Sequence, residues 1–307
     1  MGFQGAHGVR RLVAAGAVYV VLALAGCAGR IAGDGDLGGD WAVLPTAVVP
    51  VPEAGVCRVA TPKVVQWEMA LLHGVRVNCT ARHSTETYYV GTITDARTDA
   101  LTVPPRAGAR EFKPLYQVCA KRAVEFLGGD YHLGRLAIVP VLPTKTEWSA
   151  GARFYRCEVM EIMANRKVLQ RTTSVKDGLR GKRPLAIGCA NRSVDGDGNI
   201  TSFTWVDCAT PHHLEFTGLY THRDGEVPTE ATLRERAAVG CLGVGIRYTG
   251  HSPSEVNNDG KYSWVFSHIN DVDTTWRVGD RTHHCYLGAY PAKKLTGSIK
   301  GKLPSQW

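Results

Sequence analysis

Eight of the nine cysteines fall into two sets of four that carry the same motifs at matching offsets, and this restricts the fold more than any other feature. The first set is Cys57, Cys79, Cys119 and Cys157, separated by 22, 40 and 38 residues. The second is Cys189, Cys208, Cys241 and Cys285, separated by 19, 33 and 44. Around the second cysteine of each set stands C-x3-H-x2-E, as Cys79…His83…Glu86 and Cys208…His212…Glu215. Before the fourth stands W-x2-G-x-R-x3-C, as Trp148-x2-Gly151-x-Arg153-x3-Cys157 and Trp276-x2-Gly279-x-Arg281-x3-Cys285. Two motifs recurring together at fixed offsets mark an internal repeat. The chain thus divides into two homologous tandem units, at 53–180 and 181–305, each of ordinary domain size.

The N-terminus states the compartment. Arg10 and Arg11 precede an uncharged, mostly apolar run from Leu12 to Gly26. A basic end followed by a short apolar segment is the layout of a secretory signal, and the run is shorter than the ~20 residues a spanning helix needs. Leu24-Ala25-Gly26-Cys27 resembles the lipobox of bacterial lipoproteins, in which the cysteine receives the lipid. The expectation is a signal peptide at 1–26 and a lipid anchor on Cys27. Stable anchoring takes two acyl chains, each buried methylene adding about 0.8 kcal/mol. Residues 27–52 are rich in Gly, Ala and Pro without periodicity, and read as a flexible tether with a reach of roughly 25–30 Å.

Export changes the meaning of the eight remaining cysteines. An even number outside the cytoplasm reads as a disulfide framework, and no CxxC pair suggests zinc. Four cysteines allow three connectivities per unit. The expected pairing is first with second, joining neighbouring strands, and third with fourth, pinning a helix to the strand after W-x2-G-x-R. Val75–Asn78 and Phe203–Asp207 read as strands, as do Tyr88–Val90, Leu136–Val139 and Ser263–Phe266. Leu115, Val118, Cys119, Ala123 and Phe126 share one helical face; Leu233, Ala237 and Cys241 do the same after a helix start at Pro228-Thr229. Asp259-Gly260 signals a turn. Each unit closes on Ser-[Val/Ile]-Lys, at Ser174–Lys176 and Ser298–Lys300, which predicts a final strand. The fold class is α+β: two disulfide-braced domains, each a mostly antiparallel sheet with one main helix.

An anchor followed by units with C…C-x2-PH-x2-E…C…W-x2-G-x-R-x3-C resembles the septum-formation domain family of actinobacteria, over nearly the whole mature chain. Unit two keeps Pro211-His212 and Glu215; unit one departs, with Arg82 in place of the proline. The resemblance implies an envelope protein connected with cell division in a high-GC Gram-positive bacterium. It supplies no catalytic residues.

His83/Glu86 and His212/Glu215 are the strongest candidates for a site, since an imidazole beside a carboxylate can bind a metal or move a proton. Each unit offers one such pair, however, and zinc takes three or four ligands. The expectation is therefore structural: the histidine packs beside the disulfide and bonds to backbone or to the glutamate. Trp148/Arg153 and Trp276/Arg281 suit cation–π contacts or an aromatic ligand shelf, with scaffold the favoured role. Asp195-Gly-Asp197-Gly-Asn199 begins like a calcium loop but has Ile200 and Val206 where an EF-hand needs glycine and glutamate, so a hairpin turn is expected. The doublets His212-His213 and His283-His284 suggest no more than adventitious metal affinity. No nucleophile elbow, H-E-x-x-H or P-loop is present.

No cofactor, no metal and no catalytic residue are expected. The net charge is +8, or +6 without Arg10 and Arg11. Part of it clusters between the units, at Arg166, Lys167, Arg171, Lys176, Arg180, Lys182 and Arg183. Outside the membrane the available polyanions are lipid headgroups and wall polymers, not nucleic acid. The functional expectation is a non-enzymatic lipoprotein on the outer face of the cell membrane, binding a division protein or an anionic wall polymer. The alternative is a cell-wall-active enzyme using the His/Glu pairs as acid–base groups.

Overall fold

A computed structural model describes residues 49–59, 74–163, 167–197, 200–252, 262–266, 272–289 and 293–302. The signal segment, Cys27, most of the tether, Arg166, Asn199 and the Asp259-Gly260 turn lie outside the described residues.

The strands run β1 (Val56–Val59), β2 (Val75–Val77), β3 (Thr85–Thr92), β4 (Leu136–Val141) and β5 (Phe154–Glu161), then β6 (Cys189–Val194), β7 (Ile200–Val206), β8 (Leu214–Thr221), β9 (Tyr262–Phe266) and β10 (Thr282–Ala289). They form two antiparallel five-stranded sheets, ordered β2-β1-β3-β5-β4 and β7-β6-β8-β10-β9. The order is the same in both, and so is an irregularity. The register slips between Thr87 and Tyr89 where β3 meets β5, and between Cys285 and Tyr286 where β10 meets β8. Counted from Glu86 and Glu215, the extra residue is Tyr88 in one sheet and Thr217 in the other. A bulge pins register and re-aims a strand. The architecture is α+β with two antiparallel sheets, as the sequence indicates.

Helices cover the sheets. They are α1 (Ala96–Asp99), α2 (Phe112–Leu127), α3 (Lys145–Ser149), α4 (Glu230–Thr249) and α5 (Val272–Val278). Among the described residues, no helix is long and apolar enough to cross a membrane. In α4, Thr229 caps the start by accepting from the Thr232 N–H, and Gly250 ends it at φ +77, a left-handed conformation that suits glycine. Its buried stripe of Leu233, Ala237, Cys241 and Val244 follows helical spacing. In α2 the buried stripe is Phe112, Leu115, Tyr116, Cys119, Ala123 and Leu127. Val118 is 37% exposed, so the expected face is corrected by about one residue. The reason is that Cys119 must meet the sheet, which turns Tyr116 inward and Val118 outward.

The main core contains Leu115, Tyr116, Leu127, Ile138, Trp148, Val159 and Val175, together with Val278 from the end of α5. A residue of the second half is thus buried in the core of the first, and α5 packs against α2.

Candidate functional site

The disulfides organise the repeated motifs. Cys57 joins Cys79, Cys119 joins Cys157, Cys189 joins Cys208 and Cys241 joins Cys285, with Cα–Cα separations of 5.1–5.4 Å. The first and third bridges link the β1–β2 and β6–β7 strand pairs; the others tie α2 to β5 and α4 to β10.

Sheet register brings the His/Glu pairs to the outer bridges. Cys57 lies directly opposite Glu86, and Cys189 opposite Glu215. Opposed residues on antiparallel strands hold their Cβ atoms about 5 Å apart. His83 and His212 sit just before β3 and β8, and fold back on the same spot. A ring nitrogen of His83, the Cys57 sulfur and a Glu86 oxygen lie within 4.8 Å of one another, as do those of His212, Cys189 and Glu215. All six residues are buried. Each histidine's Nδ1 donates to a carbonyl two residues back, Ala81 or Thr210, at 2.7 Å, which assigns the proton to Nδ1. Among the described residues, each Nε2 is buried without a hydrogen-bond partner.

The glutamates are fully engaged. Glu86 accepts from Ser174 Oγ at 2.7 Å and from the Val175 N–H at 3.0 Å. Glu215 accepts from Ser298 Oγ at 2.6 Å, from the Ile299 N–H at 2.8 Å and from Tyr248 Oη. Apart from Tyr248, which lies in α4, these partners belong to the closing Ser-[Val/Ile]-Lys segments, for which a final strand was expected; that expectation is corrected. Each segment is a turn, in which the Ser174 or Ser298 hydroxyl accepts from the N–H of Lys176 or Lys300. The nearest ladder contact among the described residues is an isolated bridge three residues earlier, pairing Arg171 with His83 and Leu295 with His212. A buried carboxylate supplies what a neighbouring strand would have supplied, so no strand forms. Val175 and Ile299 are then buried. The two motifs at opposite ends of each half are therefore one closure.

As a metal centre each cluster is incomplete. With the cysteines in disulfides there is no thiolate, which leaves one imidazole and one already hydrogen-bonded carboxylate, against the three or four ligands of zinc.

The W-x2-G-x-R positions form a second repeated arrangement. Trp148 and Trp276 are buried, so neither is a ligand shelf; their indole N–H groups donate to the Leu101 and Gly225 carbonyls at 2.7 and 2.8 Å. Arg153 and Arg281 lie over these rings, 4.2 and 5.0 Å from the centroids. Arg153 also reaches Asp99 at 2.7 Å, and Arg281 pairs with Asp224. Gly151 and Gly279 have φ of +90° and +98°, where a side chain would be strained.

One polar cluster was not foreseen. Asp280 fills the blank position of the second W-x2-G-x-R, where the first has Ala152. It accepts from Tyr116 Oη at 3.1 Å, Tyr131 Oη at 3.2 Å and His132 Nε2 at 3.1 Å, all in the first half. His132 also contacts Asp130 at 2.7 Å through Nδ1. Burial alone would lower the His132 pKa, but Asp280 and Asp130 outweigh it and raise it to about 9. Burial likewise opposes ionisation of Asp280, yet His132 and its hydrogen bonds hold the carboxyl below its ordinary value. Next to it His284 donates to the His132 carbonyl at 2.8 Å; burial, then the His132 charge, lower its pKa to about 4. His222 is lowered to about 4 by burial and by His283, whose ring centroid is 5.0 Å away. Of the other doublet, His213 takes the Arg192 N–H on Nδ1.

The basic stretch is partly committed internally. Arg171 pairs with Glu161 at 2.6 Å and Arg180 with Asp177 at 3.4 Å, while Lys167, Lys176, Lys182 and Arg183 are exposed. Asp195 and Asp197 lie at the β6–β7 hairpin connection.

The family model described as septum formation matches residues 54–301. The chain belongs to the septum-formation family. The match runs from two residues before β1 to the residue after the second closing segment, so it takes in both sheets and all four disulfides. Searches of curated proteins and of solved structures returned no match. A role in cell division is what membership of the septum-formation family suggests.

Proposed function

We propose that this septum-formation protein is an exported lipoprotein, anchored through Cys27, that acts at the division site by binding and not by catalysis. The observation that carries the non-enzymatic reading is the state of Glu86 and Glu215. Both are buried and hydrogen-bonded to the closing turns, so neither is placed to exchange protons with a substrate. The two halves read as a tandem duplication; matching strand order, bulge position and closure support that reading. Residues 27–52 would let the body range near the membrane. The exposed Lys176, Lys182 and Arg183 suit a partner that is an anionic wall polymer or an acidic face of a division protein.

An export-competent fluorescent fusion imaged in dividing cells tests this, beside a Cys27→Ala form. The reading expects enrichment at septa for the intact chain and loss of membrane retention for the variant. A uniform signal through the cell cycle would sink the septal role.

A further inference from the structure

The four bridges differ in what surrounds their sulfurs. Cys119, Cys157, Cys241 and Cys285 are wholly buried, whereas each outer bridge joins a buried cysteine, Cys57 or Cys189, to a half-buried one, Cys79 or Cys208. Cys79 lines an open groove of about 400 Å³ together with Gly55, Val56, Arg76, Val77 and Asn78. On the inner side of that bridge is His83, 1% exposed. Its Nδ1 proton is committed to the Ala81 carbonyl, Nε2 is a buried base without a hydrogen-bond partner among the described residues, and a nitrogen of the ring lies within 4.8 Å of the Cys57 sulfur. Buried polar atoms ordinarily have partners, and an orphan next to a reactive bond calls for a role.

We propose that Cys57–Cys79 is a thiol–disulfide exchange site whose substrate is a cysteine of a partner protein entering this groove. The partner thiolate attacks Cys79 Sγ, the accessible sulfur. A new bond joins the partner sulfur to Cys79, the Cys57–Cys79 bond breaks, and its electron pair leaves on Cys57 Sγ. The proton lost when the partner thiol ionised is matched by one taken up at His83 Nε2. The product is a mixed disulfide at Cys79 and a buried Cys57 thiolate held against the His83 imidazolium, which offsets the cost of burying the thiolate and its repulsion by Glu86, a carboxylate already hydrogen-bonded to Ser174 and Val175. One disulfide replaces another, so no external oxidant or reductant is consumed. Return of the Cys57 thiolate onto Cys79 releases the partner and restores the starting state.

The experiment treats the folded full chain with reduced glutathione or with a cysteine-bearing peptide, alkylates the free thiols, and maps every cysteine by mass spectrometry. The expected result is the adduct on Cys79 and the alkyl group on Cys57, with Cys119–Cys157 and Cys241–Cys285 intact. The peptide should react faster than glutathione; a rate no greater would reassign the site to small thiols and overturn the partner-protein part. His83→Gln should slow exchange at pH 7 about tenfold, the effect of losing one charge-assisted contact. A readout independent of that buried substitution is the ultraviolet thiolate absorbance of the adduct at neutral pH in the unaltered chain. Attachment at Cys57, equal opening of the inner bridges, or an adduct with no thiolate signal overturns the proposal.

Discussion

Asp280 accepts hydrogen bonds from Tyr116, Tyr131 and His132 across the boundary between the two halves, and Val278, two residues earlier, is buried in the first half's core. Both occupy positions that the repeated motif leaves free; the first copy has Ala150 and Ala152 there. The shared residues of W-x2-G-x-R were legible because each does something locally fixed, as a buried indole, a left-handed turn or a guanidinium over the ring. The residues that join the halves were not legible, because their partners lie about 150 residues away and nothing local marks them. Asp280→Ala should cost about 1–3 kcal/mol, since it leaves the buried His132 ring with Asp130 alone and removes the acceptor that two buried tyrosine hydroxyls share. Urea denaturation checks this; a loss below about 1 kcal/mol, the range of an exposed ion pair, would mean the cluster is solvated.

Helices and strands were legible from spacing, and the departures have physical causes. The α2 stripe includes Tyr116, whose hydroxyl disguised an inward-facing residue, and excludes Val118, whose apolar side chain suggested the opposite. The closing segments read as strands because Val175 and Ile299 are β-branched and flanked by polar residues. What overrides that pattern is a buried glutamate elsewhere in the chain that takes the segment's N–H. The bridges should also differ in worth. A disulfide stabilises in part by shortening the free loop of the unfolded chain, typically by about 2–4 kcal/mol, and more for longer loops. The separations are 44 residues for Cys241–Cys285 and 19 for Cys189–Cys208. Paired Cys→Ala replacement of the first should therefore lower the melting temperature further than replacement of the second. The reverse order would assign the difference to strain or packing instead of chain entropy.

The described body from residue 49 onward groups as one unit, and its titrating groups give it a pH signature. His132 has its folded pKa raised to about 9, so its contribution is complete below the unfolded value near 6.5 and is lost as pH rises through 9. His222 and His284 have theirs lowered to about 4, so their contribution is complete above 6.5 and is lost as pH falls toward 4. Melting temperature should peak near neutrality and fall on both sides, more steeply in acid, where two imidazoles act. His132→Gln should remove the alkaline fall. A profile flat from pH 5 to 9 would contradict these assignments.

The proposed binding role rests on the His/Glu pairs closing the fold and not serving a substrate. The decisive experiment is native-state hydrogen exchange at the Val175 and Ile299 amides, compared between the unaltered chain and Glu86→Ala and Glu215→Ala. Each substitution should strip protection from the amide in its own half and cost about 1.5–3 kcal/mol, the worth of a hydrogen bond to a charged acceptor. Unchanged protection in both halves would mean the carboxylates are not holding the closing turns. They would then be free for acid–base chemistry, and the reading as a cell-wall enzyme would return.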